Sequence, residues 1–239
     1  MTAAAFRALH HGRPAGDPLV LAGPWDAGSA RAFADAGFAA LATPSAAVAA
    51  SLGVADGDVP PAEMFAAVAR VVRAVDVPVS ADLEDGYGLA PRELVERLLE
   101  TGAVGCNLED TDRATGRLVD PREQADRLAA VRAEAGNALF LNARIDSYLR
   151  GASDEDARER ARLYAAAGAD CVYPITAPEE ALAGIAAAAG VPVNALSAPD
   201  ASAVRRLGPL GAGRITFGKG MYVRAMAAAG DVAAGLRLA

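Results

Sequence analysis

The sequence predicts an α/β protein with a parallel, eight-stranded (β/α)8 (TIM-barrel) fold. Three observations lead there: eight short apolar runs, helical stretches between them, and unusual polar residues gathered at one end of the runs. Runs that are apolar on both faces and alternate with helices imply a parallel sheet covered by helices. Eight such units in 239 residues fit a closed barrel, which typically needs roughly 250 residues. The competing arrangement is an open dinucleotide-binding sheet, but no Gly-x-Gly-x-x-Gly opens a helix after a strand.

In chain order, the first run is DPLVLAG (17–23), entered through a proline, as a strand's first residue tolerates. AGFAALAT (36–43) follows a glycine suited to the left-handed position just past a helix. DVPVSAD (76–82) is again entered through proline, and TGAVGCNLE (101–109) through glycine. ALFLNAR (138–144) follows Gly136, AGADCVYP (167–174) repeats the glycine entry, GVPVNAL (190–196) the proline entry, and GAGRITFG (211–218) closes the set. Among the helices, 91–101 begins at Pro91 and repeats Leu94, Val95, Leu98 and Leu99 as one stripe. Residues 121–135 have Asp120 as N-cap, Pro121 at the first position and Glu123 at the third. Residues 154–167 follow Ser153, with Asp156 placed for a capping box. Pro178 and Pro199 predict the first turns of two further helices.

No linker divides the chain, so residues 1–239 are expected as one domain, with 219–237 as an Ala-rich C-terminal helix. A net charge of −7 without any Lys/Arg cluster argues against nucleic acid as a partner. Cys106 and Cys171 each lie in an apolar run and read as buried thiols rather than a disulfide or metal pair. The first residues lack the apolar core of a signal peptide, and no run is long enough to span a membrane. A cytoplasmic, soluble protein is expected. His10 and His11, ahead of the first run, read as solvent-facing or structural.

Barrel enzymes place catalytic residues at the C-terminal ends of strands. There the sequence puts Asp82, Glu84 and Asp85 after VPVS, and Asn107, Glu109 and Asp110 at the end of AVGCNL. Asn142, Arg144 and Asp146 close ALFLNA, and Asn194 lies in VPVNAL. Several carboxylates on one rim repel unless a cation or proton intervenes. With no His or Cys nearby, the set suits Mg2+ or Mn2+ and not zinc. Arg144 offers a planar fork for a substrate carboxylate or phosphate, or pairs with Glu109 or Asp146. Asp110 reads as a loop or cap residue, Ser45 as a carboxylate binder or an N-cap, and Trp25 and Asp26 as packing and capping residues. Tyr87, with Arg113 and Arg117 on the loop 111–121, is available for proton transfer or for packing beneath that loop.

At these residues the sequence resembles the isocitrate lyase/phosphoenolpyruvate mutase superfamily. DLEDGYG (82–88) looks like its Asp-x-Asp-Thr-Gly-Tyr/Phe-Gly segment, with Glu84 for the second Asp and Asp85 for Thr. NLED (107–110), NARID (142–146) and LGVADG (52–57) resemble further segments, and the match runs from about residue 19 to RITFGKGMYVRA. The resemblance implies Asp82 as direct ligand of Mg2+ or Mn2+, with Glu84, Glu109 and Asp56 acting through waters. It implies Arg144 on the substrate carboxylate, a metal-bound enolate of a 2-oxo acid, and a homo-oligomer (tetramer or dimer) whose last helix packs on a neighbour.

The departures concern the reaction. The lyases' Lys-Arg-Cys-Gly-His loop is replaced by TDRATGRLVDP (111–121), which has neither Cys nor His. Ala42 and Pro44 replace the mutase's Trp-x-Ser, and Ile175 falls near its His. The expected function is a Mg2+-dependent carbon–carbon lyase acting on a small 2-hydroxy- or 2-oxo-carboxylate, with Arg144, Glu109 and Tyr87 catalytic and Ser45, Arg144 and Asn194 holding substrate. The alternatives are an oxaloacetate-type decarboxylase or hydrolase, a phosphonomutase-like enzyme, and a non-catalytic metabolite-binding barrel.

Overall fold

The computed structural model describes residues 1–11, 13, 14 and 16–237. Helix α1 (Ala3–His10) comes first, its N-terminus capped by the Thr2 hydroxyl, which accepts from the Ala5 amide at 3.2 Å. Then β1 (Leu19–Val20), α2 (Ala27–Asp35), β2 (Leu41–Thr43), α3 (Ser45–Leu52), α4 (Pro61–Val72) and β3 (Val79–Asp82) follow. The alternation continues through α5 (Pro91–Thr101), β4 (Gly105–Leu108), α6 (Pro121–Ala135), β5 (Phe140–Ile145), α7 (Asp154–Ala166) and β6 (Cys171–Pro174). It ends with α8 (Leu182–Ala189), β7 (Val193–Leu196), α9 (Ala201–Leu207), β8 (Ala212–Thr216) and α10 (Gly220–Gly235). Every predicted apolar run carries one strand.

All strand pairs are parallel, in the order β1-β8-β7-β6-β5-β4-β3-β2. The ring closes between β1 and β2 through one parallel bridge, Ala22 to Leu41, with the Ala42 amide donating to the Ala22 carbonyl at 3.0 Å. The fold is therefore the expected (β/α)8 barrel. Outward strand residues such as Ala81, Cys106, Leu141, Ala143 and Val172 pack with the inner faces of the helices, including Leu94, Leu98, Leu128, Val131 and Tyr164.

Proline and side-chain caps start the helices much as the sequence suggests. Pro61, Pro91 and Pro121 stand in first turns, and Asp120 accepts from the Arg122 and Glu123 amides. Three expectations need correction. Pro178 precedes a single 3-10 turn (Glu179–Ala181) that leads into α8, and Pro199 lies outside α9. At α9 the cap is Asp200, whose carboxylate accepts from the Ser202 and Ala203 amides, a service a proline cannot provide. Asp156 is not in a reciprocal box either; its carboxylate turns to Ser147 and Arg160.

Helix α1 plugs the lower mouth of the barrel. Phe6 packs edge-on against Phe140 at 5.0 Å between centroids, and His10 stacks on Phe140 at 4.2 Å. Leu19, Leu21, Ala40 and Cys171 complete this apolar floor. His10 is thus structural, and burial, aided by the charge of Arg214, holds its pKa at about 3. Both cysteines are buried and free. Directly above the floor, β4 and β5 approach so closely that a Cβ on Gly105 would lie 2.6 Å from the Phe140 carbonyl oxygen. Gly105→Ala is expected to cost about 1–3 kcal/mol in urea unfolding, because the clash is with backbone. A neutral result would show that β5 can yield.

Candidate active site

Strand alternation brings Phe140, Asn142 and Arg144 onto the inner face of β5, from floor to rim. The same rule points Ser80 and Asp82 inward from β3. Asn142 Nδ2 donates to Asn107 Oδ1 at 2.7 Å and, at 3.4 Å, to Asn194 Oδ1, while Asn194 Nδ2 donates to the Thr216 hydroxyl at 2.9 Å. Asn194, expected to hold substrate, is thus engaged in a buried polar layer below the rim and does not line the cavity above it.

That cavity, of about 390 Å3, is lined by Ser45, Asp56, Glu84, Glu109, Thr111, Arg113, Arg144 and Arg150, among others. Its volume suits a small molecule. At its edge, Asp82 Oδ2 accepts from the Ser45 hydroxyl at 3.0 Å and from the Ser45 amide at 3.3 Å, at the start of α3. Asp82 Oδ1 is buried with no partner among the described residues. Glu84 is only 4% exposed; its Oε2 pairs with Arg113 at 3.0 Å and its Oε1 is likewise unpartnered. Glu109 pairs with Arg144, and Arg144 Nε donates to Asp146 Oδ1 at 2.7 Å. Asp56 stands exposed at the cavity wall.

The segment 84–88 reaches this geometry at a conformational cost. Four of its five residues, Glu84, Gly86, Tyr87 and Gly88, have positive φ, two of them without being glycine. Such backbone persists where surrounding contacts over-determine it. Here the Glu109 amide donates to the Glu84 carbonyl at 2.9 Å, and the Tyr87 amide to Asp85 Oδ1 at 2.8 Å. Tyr87 takes the packing position: its ring lies between Phe65 and the Arg113 guanidinium, and its hydroxyl is buried and unpartnered. It does not line the cavity, and burial pushes its pKa up, so the hydroxyl keeps its proton.

The loop 111–121 folds over the site as a small hairpin, with a Thr111–Leu118 bridge and the Asp112 amide donating to the Arg117 carbonyl at 2.9 Å. Beneath it lies a network of which the sequence reading held only fragments. Asp110 is no solvated loop residue: it is wholly buried, accepting from the Asp146 amide at 2.8 Å, the Tyr164 hydroxyl at 2.7 Å and Arg160 at 2.9 Å. Thr111 donates to Asp146 Oδ2 at 2.6 Å. Arg160 and Tyr164 escaped notice on a helix read only for its caps. The available signal was their four-residue spacing with Asp156 on one face of α7.

The donor set fits a hard divalent cation. Its oxygens are all carboxylate or hydroxyl, and two buried acidic oxygens lack hydrogen-bond donors. Among the described residues no three acidic, His or Cys groups converge tightly enough to hold a metal alone. An ion that keeps several waters needs only one or two direct oxygens, so the set suits Mg2+ or Mn2+. In the protein without metal, burial pushes the Glu84 carboxyl up to about 7 against the pull of Arg113, with Asp82 and Asp56 adding to the rise. Burial pushes Glu109 up to about 8, against the pull of Arg144. The folded chain therefore binds protons that the unfolded chain releases above its ordinary value of 4.5. Their stabilising effect is full below that value and lost as pH rises through about 7 to 8. The metal-free protein is expected to melt at lower temperature at pH 8 than at pH 5.5, with a shallower slope in Glu84→Gln. An unchanged slope in that variant would show that Glu84 titrates normally.

The sequence profile of the phosphoenolpyruvate phosphomutase family matches residues 6–237. A protein of Burkholderia cenocepacia J2315, provisionally named a phosphonomutase, has a crystal structure 40% identical in sequence, with a TM-score of 0.88 over 97% of this chain and 98% of that one. An uncharacterized protein of Mycobacterium tuberculosis (strain ATCC 25618 / H37Rv) is 33% identical over 231 residues, 95% of this chain and 87% of that protein. The 2-methylisocitrate lyase of Bacillus subtilis (strain 168) is 30% identical over 168 residues, 66% of this chain and 55% of the enzyme.

Proposed function

The chain belongs to the phosphoenolpyruvate phosphomutase family of the isocitrate lyase/phosphoenolpyruvate mutase superfamily, and on that premise we propose that it is a Mg2+-dependent carbon–carbon lyase. Its substrate would be a small 2-hydroxy- or 2-oxo-carboxylate. The observation that carries the proposal is the pair of buried, donorless oxygens on Asp82 and Glu84 beside a cavity that also presents Arg144. Asp82 would hold the ion directly, with Glu84, Glu109 and Asp56 acting through its waters. When bound, the ion supplies positive charge to the oxygen that becomes negative as a 2-oxo acid turns to its enolate.

The remaining work falls to side chains. Arg144, fixed from behind by Asp146, presents its guanidinium to the cavity and clamps the substrate carboxylate as Glu109 lets go. Ser45 anchors Asp82 rather than substrate in this arrangement. Arg113, on the loop, exchanges Glu84 for the incoming anion, and the closed hairpin excludes water. Glu109, once released from Arg144, lines the cavity and is placed to carry a proton. Decarboxylation of an oxaloacetate-like acid would use the same residues, because it passes through the same kind of enolate.

Among the described residues no helix is long and apolar enough to cross a membrane. Helix α10 buries none of its residues against its own chain and exposes Val223, Met226 and Val232, which supports a homo-oligomer in which a second copy covers it. The test of function is a screen of 2-oxo and 2-hydroxy dicarboxylates, with and without Mg2+, on wild type and Asp82→Ala. Metal-dependent turnover that the substitution abolishes is expected. Turnover indifferent to both metal and Asp82 would end the proposal.

A further inference from the structure

Below the site, the barrel interior carries a charge that no group among the described residues answers. Arg214, on β8, is fully buried, and none of its three guanidinium nitrogens has a hydrogen-bond partner among the described residues. Its Cζ lies 5.9 Å from the centroid of the Phe6 ring, which places the guanidinium just above the apolar floor. Higher in the barrel, Ser80 Oγ, Asn142 Oδ1 and Asp82 Oδ1 are also buried without partners. A donor-only group with five N–H bonds thus shares the interior with three oxygens able to accept. Leaving all of these unmet would cost several kcal/mol, whereas water in a polar interior with two to four partners satisfies such groups. Among the described residues no carboxylate pairs with Arg214, so its charge is not cancelled locally and extends upward towards the site.

We propose that Arg214 is a positioning residue: a fixed positive charge on the barrel axis, joined through buried water to Ser80, Asn142 and Asp82, that favours an anionic substrate and opposes tight retention of the cation. The inference rests on the metal and carboxylate reading of the site above it. Its signature is a pair of opposite effects. At the effective dielectric of a protein interior, removing one charge several ångströms away changes the binding of an ion by roughly tenfold. Arg214→Met should therefore bind Mn2+ roughly tenfold more tightly, read by electron paramagnetic resonance. The same variant should bind oxalate, a small dianion, roughly tenfold more weakly at saturating Mg2+, read by calorimetry. Arg214→Lys keeps the charge and should match wild type in both.

Disrupted packing would weaken both ligands together, so shifts in the same direction, or no shift in either, overturn the proposal. If Arg214→Met does not fold, a crystal structure of the wild-type protein decides. Ordered water bridging Arg214 to Ser80, Asn142 or Asp82 supports the proposal; a dry interior, or a guanidinium paired directly with a carboxylate, overturns it. A wild-type protein that binds neither Mn2+ nor oxalate would instead sink the reading of the site, and this inference with it.

Discussion

Replacing Arg160 with methionine is expected to destabilise the fold by about 3–5 kcal/mol, the usual cost of removing one partner from a buried ion pair. Arg160 is almost fully buried in α7 and uses its guanidinium four ways. It donates to Asp110 and the Val119 carbonyl at 2.9 Å each, to the Tyr164 hydroxyl at 3.0 Å, and to Asp156 at 2.9 Å. Without it, Asp110 would be a buried carboxylate with no cation, still bound to the Asp146 amide. The loss would be read as a drop in the urea midpoint. Adding Asp110→Asn should recover part of it, because the uncompensated charge disappears. A single-variant loss below about 1 kcal/mol would mean that water reaches Asp110 and that the network is not the strut described above.

Arg144→Lys is expected to lower kcat/KM at least about 100-fold, with little loss of stability. Arg144 serves Glu109 and Asp146 from separate nitrogens while facing the cavity, a division of labour possible for a planar fork. A lysine ammonium keeps the charge but is a single point. It cannot keep Asp146 behind it on one nitrogen while presenting another to the substrate carboxylate that takes Glu109's place. The loss should fall on kcat as well as KM if the guanidinium orients the bound acid, and on KM alone if it supplies only uniform binding. Full activity in the lysine variant would remove Arg144 from substrate recognition.

The sequence announces the barrel through punctuation. Glycine after most of the helices and proline before several strands mark the turns of a repeating unit, and local chemistry is enough to place them. The rim was legible for the same reason: Asp82, Glu84, Glu109 and Arg144 follow apolar runs directly, so their position on the strand settles which end they occupy. What escaped was whatever depends on partners distant in the chain. Asp110 and Tyr164 meet across 54 positions, and nothing near Asp110 distinguishes a buried anchor from a solvated loop carboxylate. Asn194 lies only one residue into β7, short of the rim, where its side chain pairs with Thr216 in the interior. The plug formed by α1 was missed because eight residues of helix bury themselves only against a floor that strands from the whole chain assemble.

The way the ring closes has a consequence for motion. Seven of its joints are strand pairs within the sheet, while the eighth rests on the one bridge between Ala22 and Leu41. Backbone breathing concentrates where the fewest bonds must break, so the barrel should part first along this seam. Ser45 begins the helix two residues beyond the end of that bridge's own strand, and it is Ser45 that grips Asp82. The weakest line of the scaffold therefore runs up to the rim of the cavity. Stiffening it is expected to trade slack at the catalytic end for thermal endurance, raising heat tolerance as turnover falls.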